Sequence, residues 1–280
     1  MIRAILLDID GTLTNDQKII TPKTKEILLR AQDHGIRLAL ASGRTDHGLM
    51  KWAHELEMDT HDGILICYNG AKSVSCQSGE VYYSRNMTMD ESRAVLEHMK
   101  NFDVTPIVAK DDYMHTTDVF GCSIFYKGRT LNIVEYEARG NNYILCEHRD
   151  MARWVQFPIE KILTTAEPAY LQAHYEEMRK PFRDTLSCMF TSDFYYEFTA
   201  RDVNKASAIE ATYAKLGIAR EELIAFGDAE NDLPMLKYAG IGVAMGNAFA
   251  SVKAAADEIT DDNNHDGIAV SLLRHLPELA

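Results

Sequence analysis

Short apolar runs that break into polar or glycine-containing turns recur along the first part of the chain. Ile5, Leu6 and Leu7 run into Asp8-Ile9-Asp10-Gly11-Thr12, the segment 37–41 (RLALA) runs into Ser42-Gly43-Arg44, and 63–67 runs into Tyr68-Asn69-Gly70-Ala71. Such runs suit parallel strands buried on both faces. Between the first two lies a helical pattern, with Thr21 as cap, Pro22 at the first helical position and Ile27, Leu28 and Ala31 on one face, ended by Gly35. A second helix is expected over 45–57. Strand, helix and strand in this order predict a parallel pair with a right-handed crossover. The stretch 13–20, with Asn15-Asp16 at its polar centre, predicts a small hairpin flap beside the first turn, and 72–84 alternates like a hairpin turning at Ser78-Gly79.

From about Arg85 the alternation stops. Thr88 and Glu91 form a capping box for a helix to about Asn101. Strand-like pieces follow at 105–109 and 113–116, then a helix near 131–138, a strand at 161–165, a helix over 168–178 and strands at 186–191 and 195–199. Regular alternation resumes with a helix over 205–215, a strand at 223–226, the loop Gly227-Asp228-Ala229-Glu230-Asn231-Asp232-Leu233, a strand at 241–244 and a final helix from Gly267. The expected organisation is α/β: a discontinuous Rossmann-like domain with a parallel sheet, residues 1–84 and 200–280, interrupted by an α+β domain over 85–199.

The composition narrows the partners. The 280 residues are 46% hydrophobic with a formal net charge of -13 at pH 7, which argues against nucleic acid or an anionic membrane as a partner. The five cysteines, Cys67, Cys76, Cys122, Cys146 and Cys188, are scattered without a CxxC pair, as expected of a reduced cytoplasmic protein. No apolar run approaches membrane-spanning length.

The candidate chemistry sits at the strand ends. Two acids, Asp8 and Asp10, follow the first strand, and burying them requires a cation, a proton or water. Ser42 and Gly43 follow the second strand, Asn69 the third, Lys205 opens a helix, and Asp228, Asn231 and Asp232 occupy a late loop. Hard oxygen ligands with one hydroxyl and one ammonium suit Mg²⁺ and a phosphoryl group. Each position has an ordinary structural alternative. Asp10-Gly11 could be only a turn, Ser42 a helix cap, Lys205 a solvated helix residue, Asn69-Gly70 a turn signal, and the late loop an Asx-rich cap. It is their joint order and placement that points to chemistry.

DIDGT, the serine after the second strand, the lysine opening a late helix and the GDAENDL loop, in this order, resemble the four signature motifs of the haloacid dehalogenase superfamily. An insertion between the serine and lysine motifs, with SGR, YNGA and GDAENDLPM, resembles the type IIB cap of the Cof-like sugar-phosphate phosphatases. The resemblance implies Asp8 as nucleophile and Asp10 as general acid, then base. Mg²⁺ is implied on the Asp8 carboxylate, the Asp10 backbone carbonyl and Asp228, with Asn231 and Asp232 orienting ligands. Ser42, Gly43, Asn69 and Lys205 are implied to hold the phosphoryl group. Many relatives carry glycine where this chain has Ala206, which bears on where the helix starts.

The resulting expectation is a Mg²⁺-dependent phosphomonoester hydrolase acting on a small phosphorylated metabolite. A phosphomutase or phosphotransferase with the same first half-reaction is one alternative, and a non-enzymatic phosphometabolite-binding module another. Specificity is expected from loops of the insertion, where Asp112, Tyr113, His115 and Arg153 are candidates with no motif behind them. The other histidines, Trp52 and Trp154 read as core or surface. Oligomeric state is not legible.

Overall fold

The computed structural model describes residues 1–126 and 128–280, in two compact units: Met1–Ser84 with Asn204–Ala280, and Arg85–Val203. The chain re-enters the first unit at Asn204, after the strand Tyr195–Ala200 of the inserted sheet.

The first unit is built on an eight-stranded sheet. Its order is Glu258–Ile259, Ile241–Ala244, Leu223–Gly227, Ala4–Leu7, Arg37–Ala41, Ile64–Cys67, Lys72–Ser75, Val81–Ser84. The first six run parallel and the last two pair antiparallel. Ala4–Leu7 lies between two parallel neighbours and all four of its residues are fully buried, which explains the unbroken apolar run. The polar residues that follow each parallel strand therefore emerge along one edge of the sheet, where open α/β folds keep their sites.

Local chemistry explains most boundaries. The helix Pro22–Asp33 has Pro at its start, as expected, but the Thr21 hydroxyl makes no cap bond. It donates instead to Asp266 Oδ1 at 2.5 Å, joining the two separated halves of the unit. The helix Asp46–Glu55 is capped by Thr45, whose side chain accepts from the Gly48 N–H. Residues 13–20 do not form the expected hairpin. Asn15 organises a tight turn instead, with its N–H on the Ile19 carbonyl and its side chain accepting from the N–H groups of Gln17 and Ile19. An asparagine side chain that replaces ladder bonds favours a turn over a pair of strands.

The inserted unit carries a six-stranded mixed sheet, order Ile144–Glu147, Tyr113–Thr116, Thr105–Lys110, Lys161–Thr165, Tyr195–Ala200, Leu186–Ser192, and a separate pair Ser123–Tyr126 with Arg129–Asn132. Successive residues serve opposite faces: Val108 and Ile162 join one core with the helices Met89–Met99 and Pro168–Arg179, while Ile107 and Leu163 join the other with the helix Ile133–Gly140. The Thr88–Glu91 capping box forms as expected. The strands Ser123–Tyr126, Arg129–Asn132 and Ile144–Glu147 lack a clear apolar alternation in sequence and were not anticipated.

Candidate active site

The strand Ala4–Leu7 ends at Asp8, which is 7% exposed. Lys205 reaches it from the start of the helix Lys205–Lys215, with its Nζ donating to Asp8 Oδ1 at 2.6 Å and to Asp232 Oδ1 at 2.5 Å. Lys205 and Asp232 are both fully buried, so this lysine is not a solvated helix residue. Ala206 does not displace the helix: Asn204 caps it, accepting from the Ser207 N–H at 3.0 Å. Gly70 allows the close fit, because a Cβ there would lie 2.1 Å from the Asn204 carbonyl oxygen and its φ is +102°.

Asp232 works through both oxygens. Oδ1 faces Lys205, while Oδ2 accepts the N–H groups of Asp228 and Ala229, each at 3.0 Å. Its carboxylate thus holds the late loop closed and steers Lys205 toward Asp8. Asp228 receives the Thr12 hydroxyl at 2.8 Å. Gly11 must be glycine for this approach: its φ is +91°, and a Cβ would sit 2.5 Å from Asp228 Oδ2. The Asn247 side chain fixes the same turn by donating to the Gly11 carbonyl at 2.8 Å.

One oxygen from each of Asp8, Asp228 and Asp232 lies within 4.8 Å of the others. Three carboxylates face the single Lys205 ammonium, which leaves two negative charges to be balanced. Burial, reinforced by Asp232 and opposed by Lys205, pushes the Asp8 carboxyl up to about 7. Burial also raises Asp228, to about 6, with Thr12 opposing and Asp232 adding. Lys205 is held above the usual lysine range, because its two carboxylate partners outweigh the cost of burial. A hard divalent cation fits this donor set, since all the oxygens are anionic and the charge deficit is that of one such ion.

Asp10 stands apart from the cluster. Its carboxylate is gripped by Arg44, through Nε at 3.0 Å and a second guanidinium contact at 2.9 Å, and by Lys18 Nζ at 2.8 Å. Burial works against its ionisation, but Arg44 and Lys18 outweigh it and hold the carboxyl below the usual aspartate range. In this conformation Asp10 is held as a carboxylate, and taking up a proton requires it to part from these cations. Arg44 is itself positioned 5.0 Å from the Trp52 ring centroid.

Ser42 is buried and is not the helix cap, a role Thr45 takes. Its backbone carbonyl accepts the Asn69 N–H at 2.9 Å, and its Oγ lies 3.4 Å from the Arg44 N–H. Gly43 lies against Asn69, whose side chain would be 3.0 Å from a Cβ there. Tyr68 and Asn69 both adopt left-handed backbone, with φ of 53° and 56°, a strained turn of the kind found at functional sites. The Asn231 side chain donates to Asn69 Oδ1 at 3.1 Å, linking this turn to the late loop.

The motif-derived candidates Asp8, Asp10, Ser42, Gly43, Asn69, Lys205, Asp228, Asn231 and Asp232 therefore lie in one unit, whereas the specificity candidates Asp112, Tyr113, His115 and Arg153 lie in the inserted one. Lys18, Thr12, Arg44 and Asn247 escaped sequence reasoning. Arg44 sits within the quoted SGR phrase and could have been named. Lys18 is an exposed turn lysine with no distinguishing signal.

The haloacid dehalogenase-like hydrolase family matches residues 5–272 of the chain. Among solved structures, a haloacid dehalogenase-like hydrolase from Bacteroides thetaiotaomicron superposes with a TM-score of 0.89 at 31% identity, covering 99% of this chain and 100% of that one. Among curated proteins, the 5-amino-6-(5-phospho-D-ribitylamino)uracil phosphatase YcsE of Bacillus subtilis is 28% identical over 98% of this chain and 95% of its own length. The pyridoxal phosphate phosphatase YbhA of Escherichia coli is 28% identical over 98% of each chain. With a buried aspartate at the end of the central strand, a lysine bridging it to a second acid and a match over nearly its whole length, the chain belongs to the haloacid dehalogenase-like hydrolase family, as an enzyme of its phosphatase type.

Proposed function

We propose that the protein is a Mg²⁺-dependent phosphomonoester hydrolase acting on small phosphorylated metabolites, sugar phosphates foremost, through a phosphoryl group carried on Asp8. The observation that carries this reading is the cluster of three carboxylates around one buried ammonium at the end of the central strand. Relatives that dephosphorylate a ribityl-uracil phosphate and pyridoxal phosphate support a small phosphomonoester as substrate. Among the described residues, no helix is long and apolar enough to cross a membrane.

Mg²⁺ would be held by the carboxylates of Asp8 and Asp228 and the Asp10 backbone carbonyl, and would neutralise charge on the phosphoryl oxygens. The remaining steps belong to the chain. Asp10, parted from Arg44 and Lys18 and protonated from solvent, enters the reaction as the acid: the Asp8 oxygen that is not bonded to Lys205 attacks phosphorus, the ester P–O bond breaks, and the leaving alcohol takes the proton from Asp10. Water then attacks phosphorus, passes its proton to Asp10 and releases inorganic phosphate from Asp8. The Ser42 hydroxyl, the Gly43 N–H, Asn69 and Lys205 hold the phosphoryl oxygens as charge builds. Asn231 and Asp232 keep the late loop and Lys205 in place.

The test is a panel of phosphomonoesters, hexose phosphates and pyridoxal phosphate included, assayed for phosphate release with Mg²⁺ and with a chelator. Turnover should require Mg²⁺, proceed without an added acceptor alcohol and vanish in Asp8→Asn while the fold persists. Turnover retained in Asp8→Asn would refute the mechanism. Release only with an acceptor would point to phosphotransfer, and a lasting phosphoprotein without turnover to a binding module.

A further inference from the structure

The inserted unit contains a second group of ligand-type side chains that phosphoryl chemistry does not use. His115 and Cys146 are direct partners in register on the parallel strands Tyr113–Thr116 and Ile144–Glu147, so their side chains leave the same face of the sheet. His148 lies two residues beyond Cys146 and comes back to that face. His115 Nδ1 and His148 Nε2 are 2.8 Å apart, and Cys146 Sγ is 3.6 Å from the same Nε2. One donor atom from each residue lies within 4.8 Å of the other two. Trp154 backs the group, its ring centroid 4.1 Å from that of His115 and 4.4 Å from that of His148. His115 is buried, while Cys146 and His148 are half-buried, so the group is fixed yet reachable.

We infer that His115, Cys146 and His148 form a binding site for a borderline-soft transition ion, Zn²⁺ foremost, separate from the carboxylate cluster. Two imidazoles and one thiolate are a ligand set that selects such ions over Mg²⁺. Tetrahedral Zn²⁺ with bonds of about 2.3 Å to sulfur and about 2.0 Å to nitrogen places its sulfur and nitrogen ligands about 3.5 Å apart and its two nitrogens about 3.3 Å apart. The Cys146–His148 spacing already fits, the imidazole pair has to open by roughly half an ångström, and Cys146 and His115, within 4.8 Å of each other, have to settle at about 3.5 Å. On binding, the Cys146 thiol gives its proton to solvent. Each imidazole stays neutral with its N–H on the nitrogen away from the metal, and the hydrogen bond between the rings is replaced by two metal bonds. With three protein ligands, one coordination position remains for water or a small anion. The Trp154 face limits the rings' rotation and so keeps both nitrogens convergent. Among the described residues, the other convergent group of metal-ligating side chains is the all-carboxylate one, so a thiolate signature distinguishes the two sites.

The test is titration of the full-length, untagged, reduced protein with Co²⁺ in excess Mg²⁺, followed by absorption. One equivalent should give an intense near-ultraviolet thiolate charge-transfer band with tetrahedral visible bands, and Zn²⁺ should displace it. Cys146→Ser should abolish the charge-transfer band. His148→Gln should weaken binding on the order of tenfold or more. Asp228→Asn should keep the band, since it alters only the carboxylate cluster. Circular dichroism confirms that each variant folds. No charge-transfer band in the wild type, or a band that survives in folded Cys146→Ser, would overturn the assignment and leave the group as an imidazole pair packed on Trp154.

Discussion

Replacing Lys205 by Met keeps an unbranched chain of similar length in a fully buried position and removes one charge. What is lost is therefore electrostatic. Two charge-assisted hydrogen bonds, at 2.6 Å to Asp8 and 2.5 Å to Asp232, disappear, each worth about 1.5–3 kcal/mol. Two buried carboxylates are left facing each other and Asp228 without a cation, and breaking a buried pair in this way costs about 3–5 kcal/mol. The pH dependence fixes the sign. Lys205 in the wild type has a raised pKa, so its contribution is complete below its unfolded value and is lost only in strong alkali. In the variant, Asp8 loses the cation that opposes its upward shift, so its folded pKa moves further above its unfolded one. It then destabilises as pH rises through its unfolded value, and the cost is complete only above its folded value. The wild type already shows a mild form of this, because Asp8 stands at about 7. In metal-free protein, urea unfolding should show Lys205→Met less stable by about 3–5 kcal/mol at pH 8 and by clearly less at pH 5, where Asp8 takes up a proton. Fluorescence of Trp52 in a Trp154→Phe background reports on the unit that holds the site, since Trp52 and Trp154 are the two tryptophans of the chain. Mg²⁺ should recover part of the loss at pH 8. A difference below about 1 kcal/mol at pH 8, or one equal at both pH values, would refute the view that Lys205 neutralises the cluster.

Two further substitutions probe the turn and the proton carrier. Gly11→Ala forces a side chain into a backbone with φ of +91° and drives its methyl to 2.5 Å from Asp228 Oδ2. It should cost on the order of 1–3 kcal/mol and raise the Mg²⁺ concentration needed for turnover, and an unchanged Mg²⁺ dependence would contradict the close approach. Arg44→Ala removes the principal cation that holds the Asp10 carboxyl low. Asp10 should then ionise at higher pH, moving the acidic limb of phosphoenzyme breakdown upward, and a limb that does not move would separate Arg44 from Asp10 in the working enzyme.

Sequence alone located the ends of the parallel strands and the acids and serine that follow them, because a strand buried on both faces shows as an unbroken apolar run and its end shows as the first polar residue. Asp8 after Ile5-Leu6-Leu7 was legible for that reason, whereas Lys205, at a helix start, stood out only through its order among the other motifs. What the chain could not reveal was how the side chains divide their partners. That Asp232 faces Lys205, that Asp10 is clamped by Arg44, and that Thr21 reaches Asp266 instead of capping its own helix all depend on contacts between residues far apart in sequence. The same holds for His115 and Cys146, which read separately as a specificity candidate without a motif and a scattered cysteine. Sequence patterns carry burial and local turn chemistry, whereas a hydrogen bond or a ligand set depends on the register between strands, and register is decided only when the sheet assembles.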